Sequence, residues 1–92
     1  MLRNIKVEDM TITDELGTKW ELHYFIKVLK GQHGDDVYGL KVEMRPGDDN
    51  ESFYEETEGL TYSYAEVEEW ARRLASGTVT PMSLHALVDE WV

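Results

Sequence analysis

The segment around His33 combines side chains that commonly bind metal ions. His33, Asp35 and Asp36 lie within one short stretch, with glycines at positions 31 and 34. An imidazole and two carboxylates can ligate a divalent metal such as zinc, although three neighbours in one loop rarely reach tetrahedral geometry without a fourth ligand. The same residue types are common in polar hairpin turns. We therefore expect a turn here, with a divalent metal site as the alternative and no other cofactor.

Other reactive side chains are not spaced for catalysis. Glu55 and Glu56 are adjacent, and adjacent residues of a strand point to opposite faces, so they cannot act as an acid and base pair. Ser83 and His85 are two apart on a predicted helix and do not face each other. The chain has no cysteine, which excludes thiol catalysis, disulfides and thiolate metal sites. We predict that the protein is not an enzyme.

Negative charge is concentrated between Asp48 and Glu69. This segment holds nine of the 19 Asp and Glu residues, contains no Lys or Arg, and is interleaved with aromatic residues. Carboxylates set among exposed aromatics can imitate a nucleic acid and bind a basic groove on another protein. The alternative is a solvated strand edge and helix start whose charges maintain solubility. The predicted partner-binding residues are Asp48, Asp49, Glu51, Tyr54, Glu55, Glu56 and Glu58.

The overall composition disfavours several classes of partner. Nine Lys and Arg against 19 Asp and Glu give a formal charge of −10 over 92 residues. Because affinity for nucleic acids comes mainly from Lys and Arg, direct binding to DNA, RNA or an anionic membrane is disfavoured. A hydrophobic content of 41% still favours a folded domain. Because the sequence shows no cysteine, signal peptide or long apolar run, we expect a cytoplasmic location.

Alternating hydrophobicity predicts four strands, at about residues 4–13, 18–30, 37–46 and 52–61. The clearest run places Trp20, Leu22, Tyr24, Ile26 and Val28 on one face. In the first strand, the alternation changes phase after Val7, which predicts a bulge or bend. The turns between strands are too short for parallel crossovers, so the sheet is predicted to be an antiparallel meander.

The last third has helical periodicity. Ser63 and Glu66 form a capping-box pattern, Gly77 occupies a position that favours a left-handed residue, and Pro81 opens a second helix. Helices are therefore predicted at about residues 63–76 and 81–91. The predicted fold is a single α+β domain of residues 1–92, order ββββαα, with both helices on one sheet face. The predicted core is Trp20, Leu22, Tyr24, Ile26, Val28, Leu40, Val42, Val67, Trp70, Leu74, Leu84, Leu87 and Trp91.

The segment from Ser63 to Trp91, with Val-Thr-Pro at positions 79–81 and Leu84, resembles a small uncharacterised family from Gram-positive bacteria. This resemblance implies a bacterial or mobile-element origin. In size, acidity and absence of an enzyme signature, the chain is also similar to anti-CRISPR proteins, the small phage and mobile-element inhibitors of CRISPR effector nucleases. That resemblance implies inhibition by blocking nucleic-acid loading or domain movement.

We therefore expect an acidic inhibitor that binds the basic surface of a nucleic-acid-processing protein, with a CRISPR effector nuclease as the favoured target. The first alternative is a bacterial adaptor or regulatory domain that binds through its sheet face, or dimerises through it, so both a monomer and a homodimer are compatible with the sequence. The second alternative is a small metal-binding protein.

Overall fold

The computed structural model describes residues 3–47 and 51–91, which form a four-stranded antiparallel sheet followed by two helices. The strand order in the sheet is the order along the chain. This arrangement confirms the predicted α+β fold with order ββββαα. The elements are β1 (Arg3–Thr13), β2 (Lys19–Lys30), β3 (Asp36–Pro46), β4 (Phe53–Glu56), α1 (Tyr64–Ser76) and α2 (Leu84–Trp91), with a 3₁₀ turn at Pro81–Ser83.

The predicted change of phase in β1 is a break in its pairing with β2. The register shifts between Lys6, which pairs with Phe25, and Glu8, which pairs with Tyr24. Such a bulge inserts one residue and reverses the alternation of the side chains that follow it. The hydrophobic residues before and after Val7 consequently pack against the same core.

The fourth strand is shorter than the predicted 52–61, because the chain leaves the ladder after Glu56. The hydroxyl of Thr57 accepts a hydrogen bond from the Leu40 amide at 2.9 Å, where a continued strand would place a carbonyl. Thr57 and Glu58 then lie over Gly39, where a Cβ atom would be only 2.5 Å from the Glu58 carbonyl oxygen. Pairing resumes as a single bridge between Tyr38 and Thr61.

The core lies between the sheet and the two helices. Ten of the predicted core residues are buried, while Leu87 and Trp91 are partly buried against them. The prediction that Trp20 belongs to this core is wrong. Trp20 stands at the end of the sheet, where its Nε1 donates a hydrogen bond to the Asp14 carboxylate at 3.1 Å and its ring lies beside Phe53. An indole needs an acceptor for its N–H, and the turn after β1 provides one.

The ends of the helices partly follow the predictions. The Ser63 hydroxyl accepts a hydrogen bond from the Glu66 amide at 3.2 Å, as a capping residue does. Gly77, however, has a φ of −87°, and the left-handed residue at this end is Thr78, with a φ of 52°. The second helical segment begins as the 3₁₀ turn and becomes α-helical only at Leu84. Among the described residues, no helix is long and apolar enough to cross a membrane.

Candidate protein-interaction surface at the edge of the sheet

β4 lies at one edge of the sheet and directs alternate side chains to its two faces. Phe53 pairs with Met44 of β3 and so points to the face that carries the helices, as does Glu55. Tyr54 and Glu56 point to the opposite face, which no described helix covers and which we call the open face. The predicted contact residues of β4 are therefore divided between two faces.

On the helix side, β4 and the 3₁₀ turn enclose a shallow cleft. Exposed apolar side chains border it, since Phe53 is 53% and Met82 is 84% exposed. The imidazole Nε2 of His85 lies 3.1 Å from the Glu55 carboxylate, and this contact links α2 to the edge strand beside the cleft. This cleft offers both apolar contact area and a polar pair to an extended segment of another molecule.

On the open face, Tyr54 lies beside a lysine. The Lys41 ammonium is 4.8 Å from the centre of the Tyr54 ring and 5.5 Å from the centre of the Phe25 ring. Both distances are within the range of cation–π attraction. Tyr54 nevertheless remains 55% exposed, so about half of the residue's surface is available to a partner.

Glu56 has a structural partner. Its carboxylate lies 3.3 Å from the Lys27 ammonium, and the Lys27 side chain is only 8% exposed. The same ammonium donates a hydrogen bond to the Thr57 carbonyl at 2.9 Å. A buried ammonium needs such partners, because an unpaired buried charge is strongly destabilising. Glu56 therefore stabilises the sheet edge, whatever else it contacts.

The remaining predicted contact residues lie on either side of β4. Glu51 and Glu58 are exposed. Asp48 and Asp49 fall outside the described residues. The acidic segment thus supplies three exposed carboxylates along this edge, at Glu51, Glu55 and Glu58, while Glu56 neutralises a lysine.

The predicted metal ligands lie in and beside the turn between β2 and β3. His33 and Asp35 are exposed, and the Asp36 carboxylate accepts a hydrogen bond from the Lys30 ammonium at 2.8 Å. This bond to Lys30 lowers the pKa of Asp36. Within residues 3–47 and 51–91, no group of three or more His, Cys, Asp or Glu side chains is placed to hold a metal ion.

Two rows of side chains cross the open face next to each other. The first, which we call the basic row, consists of Lys6, Phe25 and Lys41, which are direct neighbours on β1, β2 and β3. Both ammonium groups lie within 6 Å of the Phe25 ring centre, at 5.9 and 5.5 Å.

The second row, which we call the acidic row, consists of Asp9, His23 and Glu43 on the same three strands. His23 Nδ1 is hydrogen-bonded to the Asp9 carboxylate, and this bond lowers the pKa of Asp9. The His23 Nε2 atom lies 3.5 Å from a Glu21 carboxylate oxygen. Carboxylates therefore surround the imidazole within its own sheet.

Sequence reasoning did not identify either the cleft or the two rows. Met82 and His85 lie on one predicted helix, and nothing in the local pattern shows that this helix begins against β4. The rows join residues up to 35 positions apart in the chain, so only the strand register reveals them. Alternation along β2 was the one available signal, because it placed His23 and Lys27 on the less apolar face.

Comparisons with known proteins give a family but no characterised relative. A family model described as a family of unknown function, DUF6514, matches residues 3–92. No curated protein and no solved structure gives a significant match. The resemblances to a Gram-positive family and to anti-CRISPR proteins therefore stay predictions.

Proposed function

The chain belongs to DUF6514, a family of unknown function, and we propose that it acts by binding another protein at β4 and the adjoining cleft, without catalysing a reaction. One observation carries this proposal. Phe53 and Met82 are each more than half exposed, at 53% and 84%, and both border the cleft. Exposed large apolar side chains that lie together are typical of interaction surfaces.

The backbone of β4 supports the same proposal. β4 is the last strand in the sheet order and is therefore an edge. An extended segment of another protein can add to such an edge through main-chain hydrogen bonds, while alternate side chains enter a neighbouring pocket. Here the cleft between Phe53 and Met82 is placed to receive those side chains of the bound segment that point to the helix side of the sheet.

Charge indicates the chemistry of the partner. Glu51, Glu55 and Glu58 are exposed along this edge, in a chain whose formal charge is −10. A partner segment rich in Lys or Arg would be attracted to them and guided onto the edge. The proposed partner class is a nucleic-acid-processing protein, with a CRISPR effector nuclease favoured, and the proposed effect is competition with nucleic acid for its basic groove.

The experiment is a binding and cleavage assay with a panel of purified CRISPR effector nucleases, each loaded with guide RNA. The chain is expected to bind at least one of them, to slow DNA cleavage, and to bind at least tenfold more weakly as salt rises from about 0.1 to about 0.5 M. If no nuclease in the panel binds, the proposed partner class is wrong.

The test variant replaces five acids by their amides and keeps Glu56, because removing Glu56 would unpair Lys27 and test stability instead. A matched control removes five carboxylates that lie outside the proposed contact surface. Binding is expected to fall at least tenfold in the test variant and less than twofold in the control. Equal binding by the two variants would contradict the acidic contact. The test replacements are at Asp48, Asp49, Glu51, Glu55 and Glu58, and the control replacements are at Glu15, Asp35, Glu68, Asp89 and Glu90.

The apolar part of the surface is tested separately with Met82→Ser. Because Met82 is 84% exposed, this change is expected to leave folding unaffected. Loss of binding at unchanged thermal stability supports the cleft as a contact. Unchanged binding would exclude Met82 from the interface.

A further inference from the structure

The open face is close to neutral in an otherwise acidic chain. The strand register places five basic residues on this face and four acidic ones. The formal charge of the whole chain is −10. Two copies of the chain therefore meet with little net repulsion when they approach through their open faces. The basic residues are Lys6, Lys19, Lys41 and Arg45 together with the buried Lys27, which Glu56 neutralises, and the other acidic residues are Asp9, Glu21 and Glu43.

From this pattern we propose that the chain forms a symmetric dimer in which two open faces pack together, with the basic row of each copy on the acidic row of the other. A two-fold axis that runs across the strands, between the two rows, produces this arrangement. It exchanges Lys41 with Glu43 of the second copy, and Lys6 with Asp9 of the second copy. In a symmetric interface each such contact occurs twice.

The two middle positions of the rows are also compatible. The same axis places the Phe25 ring against His23 of the second copy, and two flat rings can stack there. None of these contacts opposes two charges of the same sign.

The bulge in β1 is necessary for this match. Lys41 and Glu43 are two residues apart, whereas Lys6 and Asp9 are three apart. The register shift between Lys6 and Glu8 absorbs the extra residue, so that Asp9 lies opposite His23 and falls in the acidic row. Without the bulge, Glu8 would take that place and the alternation in β1 would put Ile5 and Met10 on different faces.

The available area is sufficient for a reversible dimer. From Lys19 to Lys27 the sheet is about 30 Å long, and its strands span about 17 Å, from the usual strand spacing and rise. Packing this face covers about 500 Å² of each copy, or about 1,000 Å² in total, at the lower end of specific interfaces. We therefore expect dissociation in the micromolar range. The interface does not include Phe53 or Met82, so it is independent of the cleft.

Sedimentation equilibrium of the full chain tests the proposal. The wild-type mass is expected to rise from 10.7 kDa towards twice that value as concentration increases to about 500 µM, and to rise less at about 0.5 M salt. A wild-type chain that stays monomeric up to that concentration at low salt overturns the proposal.

Charge reversal tests the predicted contact directly. Lys41→Glu and Glu43→Lys each place like charges in both symmetric contacts, so each alone is expected to weaken association at least tenfold. Mixed in equal amounts, the two single variants have opposite charges in both contacts and are expected to form a heterodimer. The double variant K41E/E43K is expected to dimerise again for the same reason.

Far-UV circular dichroism establishes whether each variant is folded. If either change at the β3 positions unfolds the chain, the half-exposed pair on β1 gives the same test through Lys6→Glu and Asp9→Lys. Folded single variants that dimerise as tightly as wild type, or a mixture that stays monomeric, overturn the proposed arrangement. Weaker association of both single variants, with recovery in the mixture, supports it, because a nonspecific effect of net charge would strengthen the self-association of Glu43→Lys rather than weaken it.

Discussion

Tyr24 is the best place to test how the core depends on a polar contact. Its ring is fully buried, and its hydroxyl donates a hydrogen bond to the Val79 carbonyl at 2.8 Å, in the segment between α1 and the 3₁₀ turn. Replacing it by Phe keeps the ring and removes the donor. Near pH 7 we expect the free energy of unfolding to fall by about 1–2 kcal/mol, the usual effect of losing one buried hydrogen bond.

The same residue makes the free energy of unfolding depend on pH in the alkaline range. Burial raises the pKa of Tyr24 from its ordinary value of 10.0 to about 12. The folded state therefore holds this proton more tightly than the unfolded state. The resulting contribution to the free energy of unfolding is complete below pH 10 and is lost as pH rises towards 12. A pKa difference of about 2 between the folded and unfolded states corresponds to about 2.7 kcal/mol of stability, of which about 1.4 kcal/mol is lost by pH 11.

Tyr24→Phe removes this pH dependence, because phenylalanine does not titrate. The difference in unfolding free energy between wild type and variant should shrink from about 1–2 kcal/mol near pH 7 to about zero near pH 11. The measurement is equilibrium urea unfolding followed by tryptophan fluorescence at several pH values. Tyr62→Phe is the control, since that side chain is 69% exposed and its loss should leave stability unchanged.

Two results would refute this reasoning. Equal stability of wild type and Tyr24→Phe near neutral pH would show that the hydrogen bond to Val79 contributes nothing. A difference that persists unchanged to pH 12 would show that the folded state does not retain the Tyr24 proton.

Three further changes test the edge of the sheet and the start of α1. Gly39→Ala should destabilise the fold by about 2 kcal/mol or more in thermal denaturation, because the new Cβ meets the Glu58 carbonyl oxygen at 2.5 Å. Gly47→Ala is the control and should have little effect, because its new Cβ has no neighbour nearer than 3.5 Å. Lys27→Met should lower the free energy of unfolding, measured with urea, by about 1–2 kcal/mol, because the Glu56 carboxylate and the Thr57 carbonyl lose their donor. Unchanged stability would show that these two contacts contribute nothing. Ser63→Ala should cost about 1 kcal/mol by removing the cap of α1, and equal melting temperatures would contradict that role.

Much of the architecture could be predicted because it depends on local patterns. Alternation over β2 and β3 identified buried and exposed faces, and the phase change in β1 indicated its bulge. The Ser63 cap located the start of α1 to within one residue. Each of these signals depends on backbone geometry over only a few neighbouring residues.

The errors arose where a distant segment changes the local preference. β4 ends at Glu56 because Thr57 hydrogen-bonds to Leu40 and because Gly39 leaves space for the chain to cross over it. Trp20 leaves the core because Asp14 and Phe53 are beside it at the end of the sheet.

The candidate surfaces show the same division. By itself, the sequence determined the order of the elements, the −10 charge and the concentration of acids between Asp48 and Glu69. Only the tertiary structure decided that Glu56 neutralises a buried lysine, that Glu55 joins His85 beside a cleft, and that charged rows cross the open face. The physical reason is that charge and apolarity belong to single residues, whereas burial and pairing depend on cross-strand register, which brings together side chains far apart in the chain.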